Sequence, residues 1–284
     1  EDHRAPLFEV RSRLEPVELD IKTLTRDQRQ VEVRPERDCY VMVEKDTKRL
    51  YVRRGLNQNE GVPQHDCFIL RRDGSIEADI DWEYDVITGI DARPMDDETL
   101  FIRGGVFNTF ANRQHHPVGY NYWGRNIILE RSNTEVVGLT HYVVGETEVG
   151  CPYTGFIYSR QSANITLRNC FATGHRIYTG IGAAGKPVRM GTYDYNARNI
   201  VGFNMIGCRQ NLITDKTRWG VIESSFCKNI LLEDCEMSRM DTHMGVSGTY
   251  TIRRCQLGHM GLNAIGRGVI TLEDSTLNGP ALVN

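Results

Sequence analysis

The stretch NILLEDCEMSRMDTHMGVSGTYTIRRC, residues 229–255, carries one pattern twice, as NILLEDC at 229–235 and TYTIRRC at 249–255, 20 residues apart. Both halves alternate apolar and polar residues and end on cysteine, and period-two alternation is the signature of a strand. The pattern extends outward. NIILERS (126–132), NITLRNC (164–170), NIVGFNM (199–205) and VITLEDS (269–275) align with it, with starts 38, 35, 30, 20 and 20 residues apart along the chain. The first apolar position holds Ile127, Ile165, Ile200, Ile230, Tyr250 and Ile270; two residues on come Leu129, Leu167, Gly202, Leu232, Ile252 and Leu272. A strand that returns in register after insertions of variable length reads as a solenoid of stacked coils. A leucine-rich repeat has a similar period but needs a Leu-rich, Asn-bearing consensus that these units lack.

The composition agrees with an ordinary folded chain. Its 284 residues are 40% apolar and carry a formal net charge of −3, which excludes the basic footprint of a general nucleic-acid binder. No run of 18 apolar residues is present, so no membrane span is expected. The chain opens EDHRAP, with no apolar leader core. Eight cysteines are spread without a C-x-x-C pair, so no metal site is predicted from them. Cys170, Cys235 and Cys255 share one inward column of the ladder and read as buried free thiols. The position after the second ladder residue holds Glu130, Arg168, Phe203, Glu233, Arg253 and Glu273, whose alternating charges read as cross-strand pairing on a wet face. Calcium at Glu233 or Glu273 is conceivable, but interleaved arginines oppose it, and no cofactor is expected.

The N-I-x-L-x-x-C ladder resembles the right-handed parallel β-helix of the pectate-lyase-like superfamily over residues 96–284. The resemblance implies an all-β solenoid, a polysaccharide or oligosaccharide partner, and a secreted or periplasmic location. The superfamily holds lyases, glycoside hydrolases, esterases, tailspikes and non-catalytic members, so it defines an architecture rather than a reaction. Residues 1–95 do not repeat. CYVMVE, RLYVRR and CFILRRDGSI are short β-rich runs, and this region is expected to cap the open edge of the first coil. No cap is visible at ALVN, so the other end is expected to be covered by further chain or by another subunit.

Candidate functional residues come from the second strand of each coil. THYVVG, TRWGVI, THMGVS and LNAIGR superpose His141, Arg218, His243 and Asn263 as an outward polar column, with Lys216 and Asp241 two residues earlier. In this register Asp241, His243 and Arg239 stand on the rung next to Asp215, Lys216 and Arg218. A solvated salt-bridged face is the plain alternative, but the histidine content and the flanking insertions favour a groove. Those insertions (109–125, 143–160 and 173–198) bring Trp123, Tyr153, His175, Arg176, Tyr193, Asp194 and Tyr195, which with His141 are assigned to substrate binding. The Gly-rich TGIGAAGKP lacks the phosphate-loop pattern.

Two chemistries compete for the cluster. A polyuronate lyase needs a base and cations for the enolate, which Lys216, Arg218, His243 and Arg239 supply, with a tyrosine such as Tyr193 as acid. A glycoside hydrolase needs a carboxylate pair, which Asp215, Asp241 and Asp194 offer. The wealth of cations favours β-elimination at a uronate. A carbohydrate-binding or adhesive module is the non-catalytic alternative.

Overall fold

The computed structural model describes residues 5–52, 59–110, 124–146, 154–181, 185–190, 193–219 and 221–284. The chain is all-β, and its main element is an 18-stranded sheet wound into a right-handed parallel β-helix. Its strands pair in parallel throughout, as in Thr154–Arg168 against Tyr193–Ile206 and Cys227–Glu233 against Val246–Arg253. A separate four-stranded antiparallel sheet takes the order Ile76–Glu77, Val62–Leu70, Cys39–Leu50, Gly89–Pro94.

Each coil bends where the backbone enters the left-handed region. Asn133, Asn164, Gly202, Asn229 and Gly248 share one corner; Gly138, Asn169, Gly207, Asp234, Arg254 and Asp274 share the next. Asn, Asp and Gly tolerate this conformation best, which is why the repeat begins on Asn and has Asn or Asp just before its cysteine. At Gly207 space also decides: a Cβ would stand 2.3 Å from Asn169 Oδ1.

Between the corners the inward side chains stack by kind. Ile165, Phe203, Ile230 and Tyr250 form one row and Leu167, Met205, Leu232 and Ile252 the next, all at most 1% exposed. Cys170, Cys208, Cys235 and Cys255 follow as buried free thiols. Two units sit differently from the sequence alignment. In the 199–205 unit Phe203, not Ile200, faces Ile165, so Cys208 rather than Met205 joins the cysteines. The cause is a duplicated signal: Asn199 also takes a positive φ, but at the preceding corner, and the strand turns again at Gly202. Ile127 likewise pairs with Ile157 on the preceding face, while Thr134 occupies the row of Ile165.

The N-terminal sheet packs along the flank of the helix. Tyr40, Cys67 and Ile69 pack on Ala163 and Val201, and Tyr40 Oη donates to the Asn199 carbonyl at 2.7 Å. Lys228 reaches out of the helix to Asp66 and the Asp79 carbonyl, with Asp81 at 3.4 Å. Arg267, further along, holds Asp81 at 3.0 Å and Asp27 at 2.5 Å. The row at this corner, Ala163, Val201, Lys228 and Ser247, is buried, so it needs a cover, and no local pattern in residues 1–95 announces one. Phe8–Val10 runs parallel to Ile127–Leu129 and adds a rung to the solenoid itself.

Candidate functional site

The face that opens each coil carries a polar column on its outer side. Tyr158, Asn196, Glu223, Asp241 and Asn263 occupy it on successive rungs. Neighbouring rungs of a parallel sheet are ~4.8 Å apart, so the column extends on the order of 20 Å along the axis. Arg160 and Arg198 lie two residues further on, in register with each other and with Ser225 and its row. Arg160 stacks 5.6 Å over the Tyr158 ring.

Asp241 is the centre of this strip. It is 4% exposed and accepts from Asn263 Nδ2 at 2.6 Å and Arg239 Nη2 at 3.3 Å, with His243 Nδ1 at 3.6 Å from its other oxygen. Burial alone raises its pKa, but the His243 bond, the Arg239 charge and the Asn263 bond outweigh that and hold it below the usual carboxylate value. Glu223, its register partner, moves the other way. Burial raises it, and the neighbouring Asp241 charge adds to the rise, against His243, Ser225 and Arg198. Two adjacent carboxyl groups are thus driven apart, one towards the anion and one towards the acid.

Of the expected catalytic set, the structure brings Asp241, His243 and Arg239 together and leaves the others elsewhere. The neighbours of Asp241 are Glu223 and Asn263, not Lys216 and Arg218. Lys216 is exposed in the turn before Arg218–Trp219, a strand that pairs antiparallel with His175–Arg176 outside the coil stack. Asp215 holds Thr217 N at 2.9 Å in that turn, and Arg218 Nη1 binds Glu146 at 3.1 Å. The register failed because the residues before Val221–Ser225 form an excursion rather than the start of the strand. Glu223 escaped notice for the same reason. Its signal is the polar position in phase with Asp241 in GVIE and RMD, visible only once the true strand is known.

The expected substrate-binding residues form a second, enclosed cluster. His175 and Asp194 are 0% exposed and His141 is 1% exposed. His141 belongs to an inward row with Phe107, Ala172 and Gln210, not to an outward column. Its ring stacks on Phe156 at 3.7 Å, and its Nε2 meets Thr109 Oγ1 at 2.8 Å. His175 Nε2 is bonded to Asp194 Oδ1 at 2.7 Å, and its Nδ1 lies 3.6 Å from Glu146. Gln210 Nε2 donates to the second Asp194 oxygen at 2.5 Å. Burial lowers the His175 pKa, yet the Asp194 and Glu146 carboxylates prevail and raise it to about 9. Tyr195 is inward, between Ile157 and Ile222, and 2% exposed, so it packs the core instead of a groove. Tyr193 is half-buried beside Thr154 and Val221, and Arg176 is exposed, its amide donating to Glu146 at 3.0 Å. Trp123 and Tyr153 lie outside the described residues.

No protein family matches the chain, and no curated protein does. The solved tailspike protein gp49 from Pseudomonas phage LKA1 aligns over 98% of this chain with 11% identity and a TM-score of 0.34; this chain spans 61% of that protein's. Among the described residues no helix is long and apolar enough to cross a membrane.

Proposed function

We propose that this protein cleaves glycosidic bonds of a polysaccharide lying along the outer strip, with Glu223 as general acid and Asp241 as the ionised partner. The observation that carries the reading is the opposite displacement of two register-paired carboxyl groups. In this chemistry the acid gives its proton to the departing oxygen while the carboxylate attacks or stabilises the anomeric carbon. Rungs ~4.8 Å apart suit the ~5–5.5 Å separation of retaining enzymes better than the ~6.5–9.5 Å of inverting ones. Membership of the pectate-lyase-like superfamily is part of the same proposal and rests on the coil architecture.

Arg160, Arg198 and Arg239 along the strip favour an acidic glycan. They also support a second reading, β-elimination at a uronate with His243 as base. Incubation with acidic and neutral glycans separates the readings. New reducing ends that vanish in Glu223→Gln and Asp241→Asn support hydrolysis. Ultraviolet absorbance of an unsaturated uronate assigns the lyase instead. Binding without either product would leave a recognition module and defeat both.

A further inference from the structure

The enclosed cluster is not needed by the chemistry proposed for the strip, and its composition is unusual for a core. Two imidazoles and a carboxylate, from His141, His175 and Asp194, place one donor atom each within 4.8 Å of one another, all buried. They come from three separate segments: the strand Thr140–Val144, the short strand His175–Arg176, and the strand Tyr193–Ile206.

We propose that His141, His175 and Asp194 form a structural binding site for a divalent first-row transition cation, zinc by preference. Two nitrogens and one carboxylate suit zinc and its neighbours, whereas calcium and magnesium take oxygen ligands. Ligands ~2.0–2.2 Å from a tetrahedral zinc ion stand ~3.3–3.6 Å apart. A donor pair at the 4.8 Å limit therefore has to draw in by up to about 1.5 Å, while His175 Nε2 and Asp194 Oδ1, bonded to each other at 2.7 Å, have to open by less than about 1 Å.

The surroundings supply what such a site requires. Gln210 fixes the Asp194 carboxylate from behind at 2.5 Å, and Thr109 and the Phe156 ring hold His141 at 2.8 and 3.7 Å. Glu146 lies 3.6 Å from His175 Nδ1, which leaves Nε2 as the atom turned to Asp194, the carboxylate–histidine arrangement that orients metal-bound imidazoles. Charge gives an independent argument. Asp194 and Glu146 bring two negative charges, and Arg218, 3.1 Å from Glu146, brings one positive charge. Two carboxylates facing His175, Asp194 at 2.7 Å and Glu146 at 3.6 Å, make the enclosure attractive to a cation. A proton on His175 is the competing occupant. A metal ion would also tie the outlying strand His175–Arg176 to two strands of the coil stack at once, whereas a proton on His175 joins it to Asp194 alone of the two.

The test uses the whole chain, purified without chelator. Metal analysis is expected to find about one zinc per chain, and stripping followed by zinc titration to restore a higher melting temperature, as binding to the folded state requires. Cobalt(II) in place of zinc is expected to give the strong visible absorption of a low-coordinate nitrogen and oxygen site. His141→Gln and Asp194→Asn, which keep volume and hydrogen-bonding capacity, are expected to weaken zinc binding ~100-fold or more, at or beyond the loss usual for ligand-supporting residues. The proposal fails if the folded wild-type chain takes up neither zinc nor cobalt, leaving a proton-only network. It fails equally if both folded variants bind as the wild type does. Should the variants not fold, the cobalt spectrum of the wild type decides alone: that of the hydrated ion overturns the site.

Discussion

Lys228 and Asp241 are charged side chains on the outside of neighbouring coils, and both are nearly buried, at 2% and 4% exposed. They differ in what covers them. Lys228 lies beneath the N-terminal sheet, closed in by Asp66, Asp81 and the Asp79 carbonyl from a distant part of the chain. Among the described residues Asp241 is closed in by its coil neighbours Asn263, Arg239 and His243, and beside it Glu223 and His243 stay partly open to solvent. Full enclosure by protein fastens two layers together, whereas a half-open cluster with divided protonation is equipped to meet a ligand.

The sharpest way to break this contrast is Lys228→Met. It leaves Asp66 and Asp81 facing each other under the sheet, and burial already pushes Asp66 up to about 6 beside the lysine. Denaturant unfolding should show a loss of ~3–5 kcal/mol, the cost of orphaning a buried partner. A loss below ~1 kcal/mol, the scale of an exposed pair, would show that the pair does not fasten the sheet.

Asp241→Asn and Glu223→Gln should behave in the opposite way, with kcat lower by ~10²-fold or more and folding little changed. The wild-type rate should be bell-shaped in pH. Asp241 must be ionised, so activity falls on the acid side at a pH below the ordinary carboxylate range. Glu223 must be protonated, so activity falls on the alkaline side above that range. A profile that rises monotonically with pH would point to His243 acting as base instead.

The enclosed histidine offers a smaller, pH-dependent effect, measured with chelator present. The folded pKa of His175 is raised from 6.5 to about 9, so its charge stabilises the fold fully below 6.5. That contribution is lost as pH rises from 6.5 through about 9. The melting temperature should decline across this window in the wild type and stay flatter in His175→Gln. An equal decline in both would assign the effect elsewhere.

The smallest effect is expected at Lys216. Exposed and off the strip, it should tolerate Lys216→Ala with unchanged kcat and stability. A large loss of activity would restore the sequence register over the observed one.

What the sequence discloses follows from how local each signal is. The rows of Ile, Leu and Cys are legible because one strand carries the whole pattern within seven residues, as in 229–235. The true partner of Asp241 was not legible, because the excursion through Arg218–Trp219 hides where Val221–Ser225 begins. Asn199-Ile200 misled for a related reason: Asn marks a bend, and these coils have more than one bend. Arg239, Asp241 and His243 were found together because they lie within one five-residue span. Asp66 and Lys228 are 162 residues apart and carry no mutual trace in the sequence at all.

The flank sheet also changes how the molecule comes apart. A bare stack of coils interacts only with its nearest neighbours and can fray from either end, one coil at a time. Here Arg93 grips Gln161, Tyr40 grips Asn199, Asp66 grips Lys228, and Asp27 and Asp81 grip Arg267. These contacts run alongside the stack, so a coil between Gln161 and Arg267 cannot loosen without detaching from a sheet that its neighbours still hold. The unit of unfolding becomes the solenoid together with its strap. Contacts spanning as many as 240 residues must close before that unit is complete, which predicts slow folding.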